Sequence, residues 1–192
     1  PAPFEKYIRW LSVQNNEELI NYWKSDLSDF SAPTPLMINT SRLDIHKSIE
    51  KPAIHIRNIE GTFLSECQQF ARSSGVTVNA LLQFAWSCVL SCYSGSDDIL
   101  YGTTVSGRPP ELVGVEGMIG LFINTIPLRV KLNYETSILE NLKNIQTSIQ
   151  EGSSLSHISL SKLQSLSGVP GGEALFYSLF VFENFPFASE VT

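Results

Sequence analysis

Three histidines, three cysteines and a scatter of serines are the residues best suited to chemistry here, and their spacing excludes most of the common arrangements. No carboxylate stands at metal-ligand spacing from His46, His55 or His157. His55 alternates with isoleucines and so points to the opposite face of its strand. His157 follows Leu155-Ser156 in a polar loop, where a solvated or locally hydrogen-bonded imidazole is expected rather than a general base. A Ser-His-acid hydrolase would show its nucleophile in Gly-x-Ser-x-Gly. The nearest stretch, Thr104-Val105-Ser106-Gly107-Arg108, lacks the leading glycine and runs into Pro109-Pro110. The glycine-rich run 168–172 has no Lys-Ser/Thr and precedes a strand, so it reads as a turn and not a phosphate cradle. Cys88 and Cys92 share a helix face at i, i+4, but two thiols without His or Cys partners make a poor metal site. With Cys67 they read as buried structural thiols, and no metal is expected.

Two polar features stand out against apolar surroundings. A two-residue period from 121 to 132 puts Asn124 on the face of Phe122, Ile126 and Leu128, where its amide must be satisfied. That amide is either a buried structural hydrogen bond or part of a site, and Pro127 allows a bulge that would change its face. Glu183-Asn184 follows eight mainly apolar residues, at a strand end where binding chemistry often sits. It could equally be the mouth of an ordinary turn before Pro186.

The elements that must position these groups follow from periodicity. Pro3 to Leu11 and a segment capped by Asn16 read as two helices, followed by an irregular stretch over 31–50. A strand is expected from Pro52 to Glu60. Thr62 would then cap a helix presenting Leu64, Cys67 and Phe70/Ala71, which Gly75 stops. The strongest pattern follows Thr77: Val78, Leu81, Leu82, Ala85, Trp86, Val89, Leu90 and Tyr93 form one wide apolar helix face. Strands are expected at Ile99–Ser106 and Leu121–Leu132, the second with Pro127, Arg129 and Lys131 on a wet face, joined by a loop over 107–120. Ser137 and Glu140 form a capping box for a helix ended by Gly152, and a shorter helix carries Leu160, Leu163 and Leu166. Leu175–Phe182 is apolar enough to be a central strand covered on both faces. Helices interleaved with irregularly spaced strands imply an α/β fold, a two-layer α+β sandwich in which a mixed β-sheet is packed with helices.

Composition supports a single globular unit. The 192 residues are 43% hydrophobic and 17% charged, enough to bury a core without disulfides or metals. A formal charge of -6 with no Lys/Arg run gives no footprint for nucleic acid or an anionic membrane. No stretch has the ~18 apolar residues of a spanning helix, no leader pattern is visible, and cysteine usage fits a reducing compartment, so a cytoplasmic location is expected.

Three stretches in this order carry a resemblance: Tyr101-Gly-Thr-Thr-Val-Ser-Gly-Arg-Pro-Pro110, Ile119-Gly-Leu-Phe-Ile-Asn-Thr-Ile-Pro-Leu-Arg129 and Leu179-Phe-Val-Phe-Glu-Asn-Phe-Pro186. Together with Tyr7-Ile-Arg-Trp-Leu11, Tyr22-Trp-Lys24 and the helix from Val78, the chain resembles the condensation domain of non-ribosomal peptide synthetases. The resemblance implies a fold like chloramphenicol acetyltransferase, in which two α/β lobes flank a tunnel. It also implies a reaction in which the acceptor's amine attacks the donor's thioester to form a peptide bond. Proximity would supply much of the rate, helped by a positioned base or polariser.

The family motif His-His-x-x-x-Asp-Gly does not occur in residues 1–192. The chain therefore resembles the second, C-terminal lobe, and the lobe with the motif and the strands that return to it are expected outside the sequence. No catalytic residue carries over, and the isolated chain is expected to be inactive. The resemblance places Ser106, Arg108, Asn124 and Thr125 near the tunnel wall, with Glu183 and Asn184 also lining it. It implies carrier-protein domains, the other lobe and an adjacent adenylation domain as partners, with phosphopantetheine arriving on the carriers and no directly bound cofactor. The Phe122-Ile-Asn-Thr125 version of the motif favours amide formation over epimerisation or heterocyclisation. Two alternatives stand beside it: a non-catalytic lobe for carrier docking or bracing, and a free-standing coenzyme A-dependent acyltransferase of the same fold.

Overall fold

The computed structural model describes residues 2–14, 16–36, 53–59 and 61–183. His46, Asn184 and the side chain of Asn16 lie outside the described residues. Helices α1 (Glu5–Ser12) and α2 (Asn16–Leu27) lead to α3 (Phe63–Ser74) and α4 (Val78–Ser94). Strands β1 (Asp98–Val105) and β2 (Asn124–Lys131) flank the loop 106–123. Helices α5 (Ile138–Ser154) and α6 (Leu160–Leu166) and strand β3 (Leu179–Phe180) complete the order.

The sheet has the order β2-β1-β3, with β1 antiparallel to β2 and parallel to β3. The expected mixed sheet packed with helices is present. Its register runs without a break from Asp98↔Lys131 to Val105↔Asn124, so no bulge displaces Asn124. Pro127 pairs with Gly102, whose N–H donates to Ser178 O at 2.9 Å on the β3 side. Gly102 thus turns its backbone groups away from β2, and in an antiparallel ladder its partner does the same. The missing N–H of Pro127 faces the side of β2 that borders no other strand among the described residues, where a proline costs no ladder bond.

Alternate β1 residues enter two cores. Ile99 and Tyr101 join Leu128, Val130, Ala80, Leu90 and Ile145, under α4 and α5. Leu100 joins Leu19, Trp23, Leu27, Phe30 and Leu163, under α2 and α6. The second face is therefore covered at Pro127 and Arg129, and wet only at Lys131, whose side chain is 64% exposed. Arg129 lies on it with its side chain only 4% exposed, and its guanidinium grips Asp98 through Nε at 2.8 Å and Nη2 at 2.5 Å. Nη1 donates to Asp26 O at 2.5 Å and to the Asp29 carboxylate, while the guanidinium lies 5.3 Å from the Phe30 ring centre. Satisfied in this way, a cation can sit beneath a helix.

Several elements depart from the sequence reading. Residues 53–59 form neither strand nor helix, and Ile54 and Ile56 are 82% and 79% exposed; their alternation has no strand edge to join among the described residues. The segment from Leu175 is not a central strand. Only Leu179–Phe180 pairs, at the edge of the described sheet, because Leu175 turns into the α2/α6 core and the Phe176 ring packs on Gly102. β2 starts at Asn124 and not at Leu121. Helix α4 begins at the Thr77 cap, whose Oγ1 accepts Ala80 N–H at 3.1 Å, but its most buried residues are Ala80, Gln83, Ser87, Leu90 and Ser91. The Tyr101 hydroxyl explains this rotation: inside the core it needs the Gln83 side chain, at 3.1 Å, and the Ser87 hydroxyl, at 3.4 Å. Val89 and Tyr93, expected inside, are exposed. So are Leu64 and Phe70 of α3, where Thr62 spends its hydroxyl on Glu66 and not on a backbone cap. Of the three cysteines, Cys67 and Cys88 are half-buried and Cys92 is exposed.

Gly152 does not end α5. It lies inside the helix, where an added Cβ would stand 3.1 Å from Ile126 Cδ1 and 3.5 Å from the Trp23 indole. That indole donates from Nε1 to Leu155 O at 2.8 Å, fixing the end of α5.

Asp26 is half-buried beside this core, and burial raises its carboxyl above the ordinary carboxylate range despite the attraction of Arg129. A folded pKa above the unfolded one means that the acid favours folding at low pH and loses this contribution as pH rises through the folded value. Asp26→Asn should therefore raise thermal stability at pH 7, with the gain disappearing below about pH 4, where both states are protonated. Urea melts across pH 3 to 8 check the sign.

Candidate functional site

The ends of β1 and β2 farthest from Asp98 open into the loop 106–123, which is a folded cap. Tyr7, Val115, Met118 and Phe122 are buried together, with Phe4 and Trp10 packed against them, so α1 forms part of the loop's core. Phe4 lies edge-on to Phe122 at 5.1 Å and occupies the space a side chain at Gly120 would need. Gly107 has φ +60, and its missing Cβ lets Phe122 O pass directly above it.

Arg108 ties the cap together. Its guanidinium donates to Val115 O and to Met118 O, the latter at 3.3 and 3.2 Å, and sits 4.1 Å above the Phe122 ring. The charge is committed to the loop and to an aromatic face.

A cleft lies on each side of this arginine. One, of about 420 Å³, runs between Ser106–Glu111 and the end of α5, with Gln150, Ser153, Ser156 and His157 on its wall. The other, of about 450 Å³, runs between Thr104–Arg108, Gly120–Ile123 and Val181–Glu183. Ser106 and Arg108 border both, and Glu183 borders the second. Asn124 and Thr125 line neither of these two clefts.

Asn124 uses its amide on the backbone. Nδ2 donates to Ser156 O at 2.6 Å and Ile158 O at 2.9 Å, and Oδ1 accepts Thr125 N–H at 2.9 Å. All three bonds are local or structural, and they pin the segment 156–158 that carries two residues of the first cleft. His157 is half-buried there, with its ring edge-on to Trp10 at 4.7 Å and near Tyr7 at 6.3 Å. Burial lowers its pKa below the ordinary histidine value, against the opposing pull of Glu111. The imidazole is therefore neutral near pH 7.

The sequence reading missed Ser156, the fixed setting of His157 and Glu111 opposite it. The one sequence cue was the amide of Asn124, which had to find acceptors somewhere. Among the described residues, no three His, Cys, Asp or Glu side chains cluster to hold a metal ion.

The condensation-domain profile matches residues 1–192. The chain belongs to the condensation-domain family. Chondramide synthase cmdD of Chondromyces crocatus is 37% identical over 189 residues, which is 98% of this chain and 5% of that protein. Surfactin synthase subunit 2 of Bacillus subtilis (strain 168) is 36% identical over 189 residues, 98% of this chain and 5% of that protein. The chain thus spans a small fraction of each of these relatives. Among solved structures, the X-domain from teicoplanin biosynthesis superposes with a TM-score of 0.68 at 21% identity, over 90% of this chain and 40% of that one. That likeness places the mixed sheet and its helices within the condensation-domain fold.

Asn124→Ala would leave Ser156 O and Ile158 O without their donor. The expected loss is about 1 to 3 kcal/mol of stability, measured by urea denaturation.

Proposed function

We propose that this chain is the C-terminal lobe of a condensation domain and forms one wall of a site where carrier-bound acyl groups are joined into a peptide bond. The observation that carries the reading is a pairing of two facts: the family profile spans residues 1–192, yet His-His-x-x-x-Asp-Gly occurs nowhere in them. The superposition covering 40% of a neighbouring structure supports a lobe and its missing counterpart. In this reading the counterpart supplies the histidine motif, and carrier proteins supply the thioester donor and the amine acceptor on phosphopantetheine arms.

The geometry supports a positioning role. Ser106, Arg108 and Glu183 border the second cleft, whose rim carries the exposed apolar residues Leu121, Ile123 and Val181. Such a rim suits contact with another protein surface or an apolar chain. The donor is already an activated thioester, so holding the amine against it supplies most of what the reaction needs. Among the described residues, His157 is the one histidine bordering either cleft, and it is braced by aromatic edges on a pinned loop.

The same apolar rim favours a second reading, a lobe that only docks carriers. Single-turnover assays with donor- and acceptor-loaded carrier proteins separate the two. The chain alone should form no dipeptide, and its fusion to a lobe bearing the histidine motif should form it. Dipeptide from the chain alone would contradict the proposal; a folded fusion that binds both carriers but forms none would leave docking.

A further inference from the structure

Cys88 and Cys92, expected from the sequence to be buried thiols, are not sealed in the core. Both stand inside helix α4, one turn apart, as free thiols; Cys92 is exposed and Cys88 half-buried. Side chains at i and i+4 are neighbours on a helix surface. Burial and, after it, the neighbouring Cys92 push the Cys88 thiol above its ordinary range, so the two sulfurs lie within electrostatic reach of each other. Their neighbours on the outward side of the helix, Ala85, Val89 and Tyr93, are exposed too. Helix α4 carries no charged side chain, so no ammonium or carboxylate of its own competes for the sulfurs.

Geometry decides what such a pair can do. A disulfide needs Cβ atoms about 3.5–4.5 Å apart, whereas an intact helix holds positions i and i+4 about 5–6 Å apart. An ion between the sulfurs fits that spacing better. Two metal–sulfur bonds of about 2.3 Å laid end to end span about 4.6 Å, a gap the two side chains close by rotation alone.

Ligand number then fixes the class of ion. A structural zinc takes four ligands, and among the described residues no three His, Cys, Asp or Glu side chains gather to hold a metal ion. Cys67, half-buried in α3, therefore stands apart from the pair. Two thiolates without a hard ligand beside them suit a soft ion that accepts linear coordination, and thiolates are the ligands that select Cu(I).

We propose that Cys88 and Cys92 form a two-thiolate site on the outward side of α4 for a soft, linearly coordinated metal ion of the Cu(I) class. Binding forms two sulfur–metal bonds and releases two thiol protons to solvent, with no change of oxidation state. The site lies outside both clefts and is independent of condensation.

The test is an anaerobic titration of the reduced 192-residue chain with Cu(I), in competition with the chromophoric chelator bicinchoninate. The wild type and Cys67→Ser should each take up one ion with the same affinity. Cys88→Ser and Cys92→Ser should each bind about 100-fold more weakly, because the second sulfur of a chelating pair acts intramolecularly at high effective concentration. Cys92 is exposed, so Cys92→Ser keeps the fold, and an unchanged circular dichroism spectrum verifies this. An affinity unchanged in Cys92→Ser overturns the site, as does a loss in Cys67→Ser equal to that in Cys92→Ser. Zn(II) bound as tightly as Cu(I) would overturn the class of ion assigned.

Discussion

Arg129 sets the constraint on which this lobe depends. A sheet buried under helices on both faces has no room for an unpaired cation, yet β2 carries one on the face that α2 covers. The two nitrogens facing Asp98 and the third directed at Asp29 and Asp26 O convert that liability into a link between α2 and the sheet. The guanidinium is held firmly in its charged form by these carboxylates, and Asp29, though exposed, is held below the ordinary carboxylate range by the same contact. Asp98 opens β1 and Arg129 stands near the end of β2, so the ion pair also marks one end of the register whose other end bears the clefts.

From that fixed end the rest of the site follows by direction. With the ladder unbroken, Val105 and Asn124 leave the sheet side by side, one leading into Ser106 and the cap, the other reaching across to residues 156–158. The cap then needs only Arg108 and the packing of α1 to close. Both cleft walls are thus held by side chains bonded to backbone carbonyls, a way of ordering a loop that requires no further regular structure.

Much of this was legible in the residues. Most helices and the first two strands appear from periodicity and caps, the family from three short stretches in order, and the parity of Asn124 from the two-residue alternation of β2. The errors share a physical origin. Arg129 looked solvent-facing because alternation shows which residues share a face, not whether a distant helix carrying Asp26, with Asp29 in the turn just beyond it, will cover it. The apolar stripe of α4 misled because the phenol of Tyr101, at the far end of a turn, demanded Gln83 and Ser87. Gly152 resembled a helix stop and is a contact point for Ile126 and Trp23, and the strength of the 175–182 run came from residues that enter another core. In the site, Arg108 and Ser106 were visible from the motif, whereas Ser156 and His157 gain their significance only when Asn124 brings their loop to the sheet.

The central claim is that the Arg129 ion pair holds α2 against the sheet. Amide hydrogen exchange on Arg129→Met tests it most directly. Protection should fall at Trp23 and Leu27 in α2 and at Leu163 in α6, while the amides of α4 and the β1–β2 ladder keep nearly their wild-type rates. Unchanged protection in α2, or an equal loss throughout the chain, would contradict the account.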